Sequence, residues 1–471
     1  MLFSSMLFLW LFLPATLILD RLSDRFMGRK SANVILLIAS LIFYTWGEPI
    51  YILVMLTSIF VNWALGCAIG RSKSKRTRRA LMWLAVAADL GTLCCFKYLG
   101  MILGAFTAVT GISTSAVPVP PLPIGISFYT FQAMSYVIDV YRGTCGVQQN
   151  PLYLGLYISF FPQLIAGPIV KYKDIEAQLL CRQKSLEKTA EGIRRFLYGL
   201  GKKVLIANVL AGAVDSLYAL EITQITGAMA WIMSVLYTLQ IYYDFSGYSD
   251  MAIGLGKMFG FDFHENFQYP YTSLSIREFW NRWHVSLGSW FKEYVYIPLG
   301  GNRRGTLCTY RNLLIVFFLT GLWHGASGSF ILWGLFHGFL VIFERFWLGS
   351  RLKKSRVLAW SYTFLTVNFG WVLFRAERIN DAFNIMKRMI LPWRYTLSDF
   401  ILAEAINPHV ILIAALALLG MGFLQRKYAG TIAEKMWKDS IAENIFLIVI
   451  LFLCFCSLAA DSYNPFIYFR F

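Results

Sequence analysis

Charge is scarce in this sequence. Only 15% of its 471 residues are Asp, Glu, Lys or Arg, against 57% hydrophobic residues, whereas a soluble domain carries roughly 25% charged residues. Water is therefore excluded as the solvent for most of the chain. Metal-type Cys-x-x-Cys pairs are missing as well. Of the eight cysteines, Cys94, Cys95, Cys454 and Cys456 lie inside apolar runs and read as small hydrophobes. Neither a zinc or other metal site nor a disulfide framework is supported. No internal repeat is visible, which argues against the paired-repeat architecture of many secondary transporters. The run Met1 to Leu19 lacks a basic leader and a small-residue cleavage site, so it reads as a retained first span.

What is present is a succession of apolar stretches, among them Ile35 to Tyr44, Ile50 to Ile69, Leu81 to Phe96, Ile225 to Tyr242 and Phe446 to Ala459, with basic or Gly/Pro-rich breaks between them. About 20 helical residues cross the hydrocarbon, and shorter runs must tilt or re-enter. The pattern predicts an all-α, polytopic membrane protein with roughly eleven to thirteen transmembrane or re-entrant helices in one domain, residues 1–471.

The net charge of +17 would suggest nucleic acid for a soluble protein. Here the cations sit where a bilayer explains them. Arg71, Lys73, Lys75, Arg76, Arg78 and Arg79 form an acid-free loop between two spans, as the positive-inside rule expects of a cytoplasmic loop. Arg21, Arg25, Arg29 and Lys30 lie two spans earlier, and a hairpin turning at Gly47-Glu48-Pro49 puts both loops on one side. The lipid bilayer, not nucleic acid, is the partner this implies.

Residues Gly111 to Pro123 read as a loop, after which Ser127, Tyr129, Thr130 and Gln132 interrupt an apolar segment and must face protein or a water-filled cavity. From Leu164 to Lys203, Lys171, Lys173, Arg182, Lys184, Arg194, Arg195, Lys202 and Lys203 read as an amphipathic cytoplasmic anchor, or else as a phosphate-binding surface for an acyl carrier or coenzyme.

Histidine is the side chain that serves as acid or base near neutral pH without a large pKa shift, and five occur here. The charged segment Ser275 to Pro298 must be interfacial or buried in protein. As one helix it would set Arg277, Asn281, His284 and Gly288 on a polar stripe, with Trp283 and Trp290 on another face. His324 lies in Phe317-Phe-Leu-Thr-Gly-Leu-Trp-His-Gly-Ala326, between Gly321 and Gly325, whose spacing allows close approach by a helix or a substrate. Thr320, one turn earlier, is placed to orient the imidazole, and Trp323 adjoins it. His337, with Glu344 on the same face, reads as a packing residue, and His264 and His409 as interfacial ones. Asp244 and Asp250 read as structural ion-pair partners, because six residues do not bring them to one helical face.

Phe279-Trp-Asn-Arg-Trp-His284, followed by Gly321-Leu-Trp-His-Gly325, resembles the two signature segments of the membrane-bound O-acyltransferases. Leu2-Phe-Ser-Ser, Pro123 to Gln132, Gly167-Pro168, Asp244-Phe-Ser-Gly-Tyr-Ser-Asp250, Glu265-Asn-Phe and Asn464 to Phe471 extend the likeness over nearly the whole chain. They are similar to the bacterial branch typified by alginate O-acetylation.

The resemblance implies helices around a central tunnel, acetyl-CoA as cytoplasmic co-substrate with no permanently bound cofactor, and transfer of an acetyl group toward the outer face of a bacterial inner membrane. An exported polysaccharide is the acceptor it implies, with an SGNH-type acetyltransferase and a polysaccharide synthase as partners. It makes His324 the essential residue and His284 the second. His324 would take the acceptor's proton, with His284, Asn281, Thr320, Arg277 and Trp323 positioning substrate or polarising the carbonyl. Direct and acyl-enzyme transfer both stay open. So do two other functions: acyl transfer from a carrier protein, as in teichoic acid D-alanylation, and a transporter or flippase using intramembrane histidines.

Overall fold

The computed structural model describes residues 1–352, 354–396, 405–422, 426–427, 431–460 and 465. All regular structure among them is helical. Among the described residues seven helices are long and apolar enough to cross a bilayer: Ile52–Arg71, Lys75–Thr110, Leu186–Tyr218, Thr306–His324, Gly328–Leu352, Arg356–Arg375 and Ile441–Ala460. The chain is a multi-pass membrane protein. It forms two compact units, one from Met1–Phe196 with Ser249–His264, the other from Leu197–Tyr248 with Glu265–Phe471.

The first unit opens with hairpins. Arg29–Thr45 and Ile52–Arg71 are joined across Gly47-Glu48-Pro49, and Ile52–Arg71 is linked to the next helix by Ser72-Lys73-Ser74. That next run, Lys75–Thr110, is 36 residues long, or ~54 Å at 1.5 Å per residue, and ends at Gly111 in the left-handed conformation. The loop after Gly111 then leads to Ile126–Arg142, whose Ser127, Tyr129, Thr130 and Gln132 are all buried in protein, as the cost of exposing such groups to lipid requires. The Leu2-Phe-Ser-Ser motif has a packing explanation. Phe3 is fully buried in an aromatic cluster, with ring centroids 5.1 Å from Phe8 and 5.6 Å from Phe43.

Four cations of the stretch Leu164 to Lys203, namely Arg182, Lys184, Arg195 and Lys203, are held in ion pairs. In the first unit Arg182 and Lys184 pair with Asp20 at 3.4 and 2.7 Å, and Arg195 pairs with Asp250. In the second, Lys203 meets Asp244 at 2.6 Å with both side chains buried. These charges are spent on helix packing, and the two aspartates have the structural role their spacing suggested. Of the C-terminal motif Asn464 to Phe471, all but Pro465 lies outside the described residues.

The second unit carries the histidines of interest. Thr306–His324 and Gly328–Phe343 form a tight antiparallel pair. A Cβ at Gly321 would collide with the carbonyl of Phe330, and one at Gly334 with the carbonyl of Phe317. The small residues beside His324 thus admit a neighbouring helix.

Candidate functional site

Segment 275–298 departs from the single polar stripe. It folds as Ile276–Arg282 and Val285–Phe291, broken where Trp283 is extended and His284 adopts φ 47° and ψ 52°. A left-handed, non-glycine backbone is uncommon, though His, Asn and Asp are the enriched exceptions. The break sends neighbouring side chains to opposite sides. Arg277, Asn281 and Gly288 stay together on an exposed face, while the His284 ring turns into the interior, where only 3% of the residue is exposed. Simple helical periodicity could not anticipate this turn.

Several sequence-readable devices set the first short helix. Ser275 Oγ caps the helix by accepting from the Glu278 amide at 3.0 Å, and the Glu278 carboxylate reaches back to accept from the Leu274 amide at 2.9 Å. Glu344 adds a long-range clamp, its carboxylate accepting the amides of Ile276 and Arg277 at 2.6 and 3.2 Å. The Ser-x-x-Glu spacing could have located this helix start. Nothing local could have found the Glu344 clamp.

The exposed face opens on a cavity of about 1290 Å³ lined by Arg277, Trp280, Asn281, Lys292, Arg345 and Arg356 among others. None of its four cations is ion-paired among the described residues, and the one lining carboxylate, Glu344, is occupied by the helix start it clamps. In a site with partly apolar walls, unpaired guanidinium and ammonium groups select an anion.

The buried side holds the two histidines. His284 Nδ1 lies 3.1 Å from Asn266 Oδ1, and the same oxygen accepts from Ser286 N at 3.2 Å and Ser286 Oγ at 2.9 Å. Burial pushes the pKa of His284 down to about 3, so its ring is neutral. Both histidines pack on Trp323, whose ring centroid is 6.0 Å from that of His284 and 5.0 Å from that of His324. His324, 6% exposed, also packs on Trp333 and Phe374 at 5.2 and 5.0 Å. Thr320 donates its hydroxyl to the Val316 carbonyl at 2.8 Å, so that hydrogen serves the backbone and not the imidazole.

The six sequence-predicted residues therefore form two groups. His284, Trp323 and His324 come together in the interior, and Arg277 and Asn281 line the cavity; Thr320 bonds its own helix. Between cavity and imidazole stands a layer of rings, with Trp280 packed on Trp333 at 5.4 Å and Trp333 on His324. Asn266 is the residue that site reasoning missed. Its signal was the Glu265-Asn-Phe motif, but the sequence does not say which side chain an Asn in a loop will meet. His264 and His409 are exposed, as interfacial histidines would be, and His264 lies 3.8 Å from Asp174.

Comparison with known proteins places these residues in context. Residues 148–380 match the model of the MBOAT, membrane-bound O-acyltransferase family. The chain is 40% identical over its whole length, and that of the relative, to a protein of Pseudomonas putida named "Probable alginate O-acetylase". It is 35% identical to the peptidoglycan O-acetyltransferase of Helicobacter pylori, covering 83% of this chain and 80% of that one. The teichoic acid D-alanyltransferase of Bacillus subtilis is 29% identical over 54% of this chain and 69% of its own.

Proposed function

The chain belongs to the membrane-bound O-acyltransferase family and is an O-acyltransferase, and from that premise we propose that it moves acetyl groups from cytoplasmic acetyl-CoA across a bacterial inner membrane for O-acetylation of an exported polysaccharide. The observation that carries the reading is the convergence of two buried imidazoles, His284 and His324, on one indole, that of Trp323. The names of two relatives, an alginate O-acetylase and a peptidoglycan O-acetyltransferase, support a polysaccharide acceptor.

In this proposal His324 takes the proton of the acceptor hydroxyl as its oxygen attacks the thioester carbonyl. The carbon–sulfur bond then breaks, and the departing thiolate takes up the proton. Such a base is worth about 10² to 10⁴ in rate. Neutral His284 positions the reacting groups. Arg277 and Asn281 hold the donor in the cavity, whose cations suit the phosphates of a coenzyme. Residues 1–471 work as one catalytic domain, with roughly eleven to thirteen membrane or re-entrant segments around a tunnel in which donor and acceptor meet. No permanently bound cofactor or metal takes part. An SGNH-type acetyltransferase on the outer face receives the acetyl group beside a polysaccharide synthase.

The test is acetyl-CoA-dependent thiol release by the purified protein with a hydroxyl acceptor, in wild type and His324→Ala. Turnover by the wild type that the variant lacks supports the reading; equal turnover removes His324 from the chemistry. The relationship to a teichoic acid D-alanyltransferase favours one second reading, an aminoacyl thioester on a carrier protein as donor. Consumption of that thioester in place of acetyl-CoA would select it.

A further inference from the structure

The short helix that follows Arg375 turns apolar side chains outward. Ile379–Ile390 is strongly amphipathic, and one of its faces is fixed to the protein. Ala382, Ile385 and Met389 are buried, Trp231 Nε1 donates to the Met389 carbonyl at 2.8 Å, and Arg388 Nε donates to the Ile225 carbonyl at 2.9 Å. The turn after it is seated as firmly. The Gly227 amide donates to the Tyr395 carbonyl at 3.0 Å, and a Cβ at Gly227 would strike Pro392. The opposite face is open. Phe383, Ile390 and Trp393 are 54, 60 and 68% exposed. Lys387 and Arg394 are exposed with them and form no ion pair among the described residues. Phe383, Lys387 and Ile390, at spacings of four and three, make one stripe.

The depth of this helix is set by the one before it. Arg356–Arg375 has 20 residues, which at 1.5 Å each give ~30 Å, the thickness of the hydrocarbon core. Arg375 therefore ends at the hydrocarbon boundary. Only Ala376, Glu377 and Arg378 separate it from Ile379, and the second helix packs back against the first. Ile379–Ile390 is thereby held at the level of the headgroups. An apolar stripe at that level, with a tryptophan at its end, has the make-up of a membrane-interface helix. The two cations distinguish lipid from protein as its cover. Lysine is depleted in protein–protein interfaces, whereas at a bilayer surface Lys and Arg lay their stems along apolar groups and hold their charge among the phosphates. Asp381, the one carboxylate of the helix, lies off the stripe.

We infer that the outward face of Ile379–Ile390, with the turn as far as Arg394, is a binding surface for anionic phospholipid. Phe383, Ile390 and Trp393 enter the acyl-chain boundary, and Lys387 and Arg394 pair with the headgroup of a lipid of net negative charge.

The full chain, labelled with fluorotryptophan and placed in nanodiscs of phosphatidylcholine, tests this. The resonance of Trp393 is the one that Trp393→Phe removes. The probes are phosphatidylglycerol and phosphatidylcholine, each spin-labelled near the carbonyl end of an acyl chain and added at the same low mole fraction. In wild type both should broaden the Trp393 resonance, and phosphatidylglycerol about fivefold more, the contribution of one Lys or Arg close to an anionic surface. Lys387→Gln combined with Arg394→Gln should leave the two lipids equal, and because both side chains are exposed the double variant keeps the fold. Equal broadening in wild type, or a preference for phosphatidylglycerol that survives the double substitution, overturns the assignment. So does a Trp393 resonance that neither lipid broadens and a water-soluble paramagnetic chelate does, which would leave this face to water or to a protein partner.

Discussion

Asn266 presents its side-chain oxygen 3.1 Å from Nδ1 of His284 and so fixes which nitrogen of that ring carries the hydrogen. The oxygen assignment follows from its other partner, the Ser286 amide, which can only donate. Nδ1 therefore donates to Asn266, and the lone pair of the neutral ring is on Nε2, which has no hydrogen-bond partner among the described residues. A neutral imidazole with a defined, uncommitted lone pair is a prepared acceptor.

Asn266→Ala removes that orientation without touching the ring itself. Outer partners of this kind typically contribute 10- to 100-fold, as they do where they orient metal-bound histidines. The expected result is a fall of about tenfold or more in kcat, with folding preserved, checked by steady-state turnover beside a melting curve.

Acid should weaken the fold through His284. Its pKa in the folded protein is pushed down to about 3, from an ordinary 6.5. Between those values the unfolded chain binds a proton that the folded one refuses. The ring's contribution is complete above the unfolded value and is lost as pH falls, by up to about 1.4 kcal/mol per pH unit. Thermal unfolding in detergent across that window should show a shallower pH dependence in His284→Gln than in wild type.

His324→Ala should abolish acyl transfer while the protein inserts and purifies normally, a loss of at least about 10² in kcat. Assaying the same preparation for turnover and for its elution profile separates a lost base from a lost fold.

Gly334→Ala should destabilise the hairpin of Thr306–His324 and Gly328–Phe343, because its Cβ would strike the Phe317 carbonyl. Overpacking of this kind costs about 1–3 kcal/mol. A lowered melting temperature checks it, and an unchanged one would mean the two helices can separate freely.

Lys203→Met should cost about 3–5 kcal/mol by removing the buried ammonium 2.6 Å from the Asp244 carboxylate. Adding Asp244→Leu should recover most of that loss, since a buried ion pair is often no better than well-packed apolar groups. Unfolding titrations of the single and double variants measure the difference.

Hydropathy and charge placement determined the membrane class, the basic turns near Gly28 and Ser72 to Ser74, and the burial of Ser127, Tyr129, Thr130 and Gln132, because the energies involved are local and large. Lipid does not accept an unpaired polar side chain wherever it falls in the fold. The same holds for the two histidine motifs, which are contiguous in sequence and so legible before folding. The tertiary structure alone decided how those motifs meet. The left-handed turn at His284 split Arg277 and Asn281 from the imidazole, Asn266 chose its tautomer from a separate loop, and Trp323 came to touch both His284 and His324. Each of these depends on packing between segments distant in the chain, and periodicity within one helix carries no information about which distant side chain will fill the space beside it.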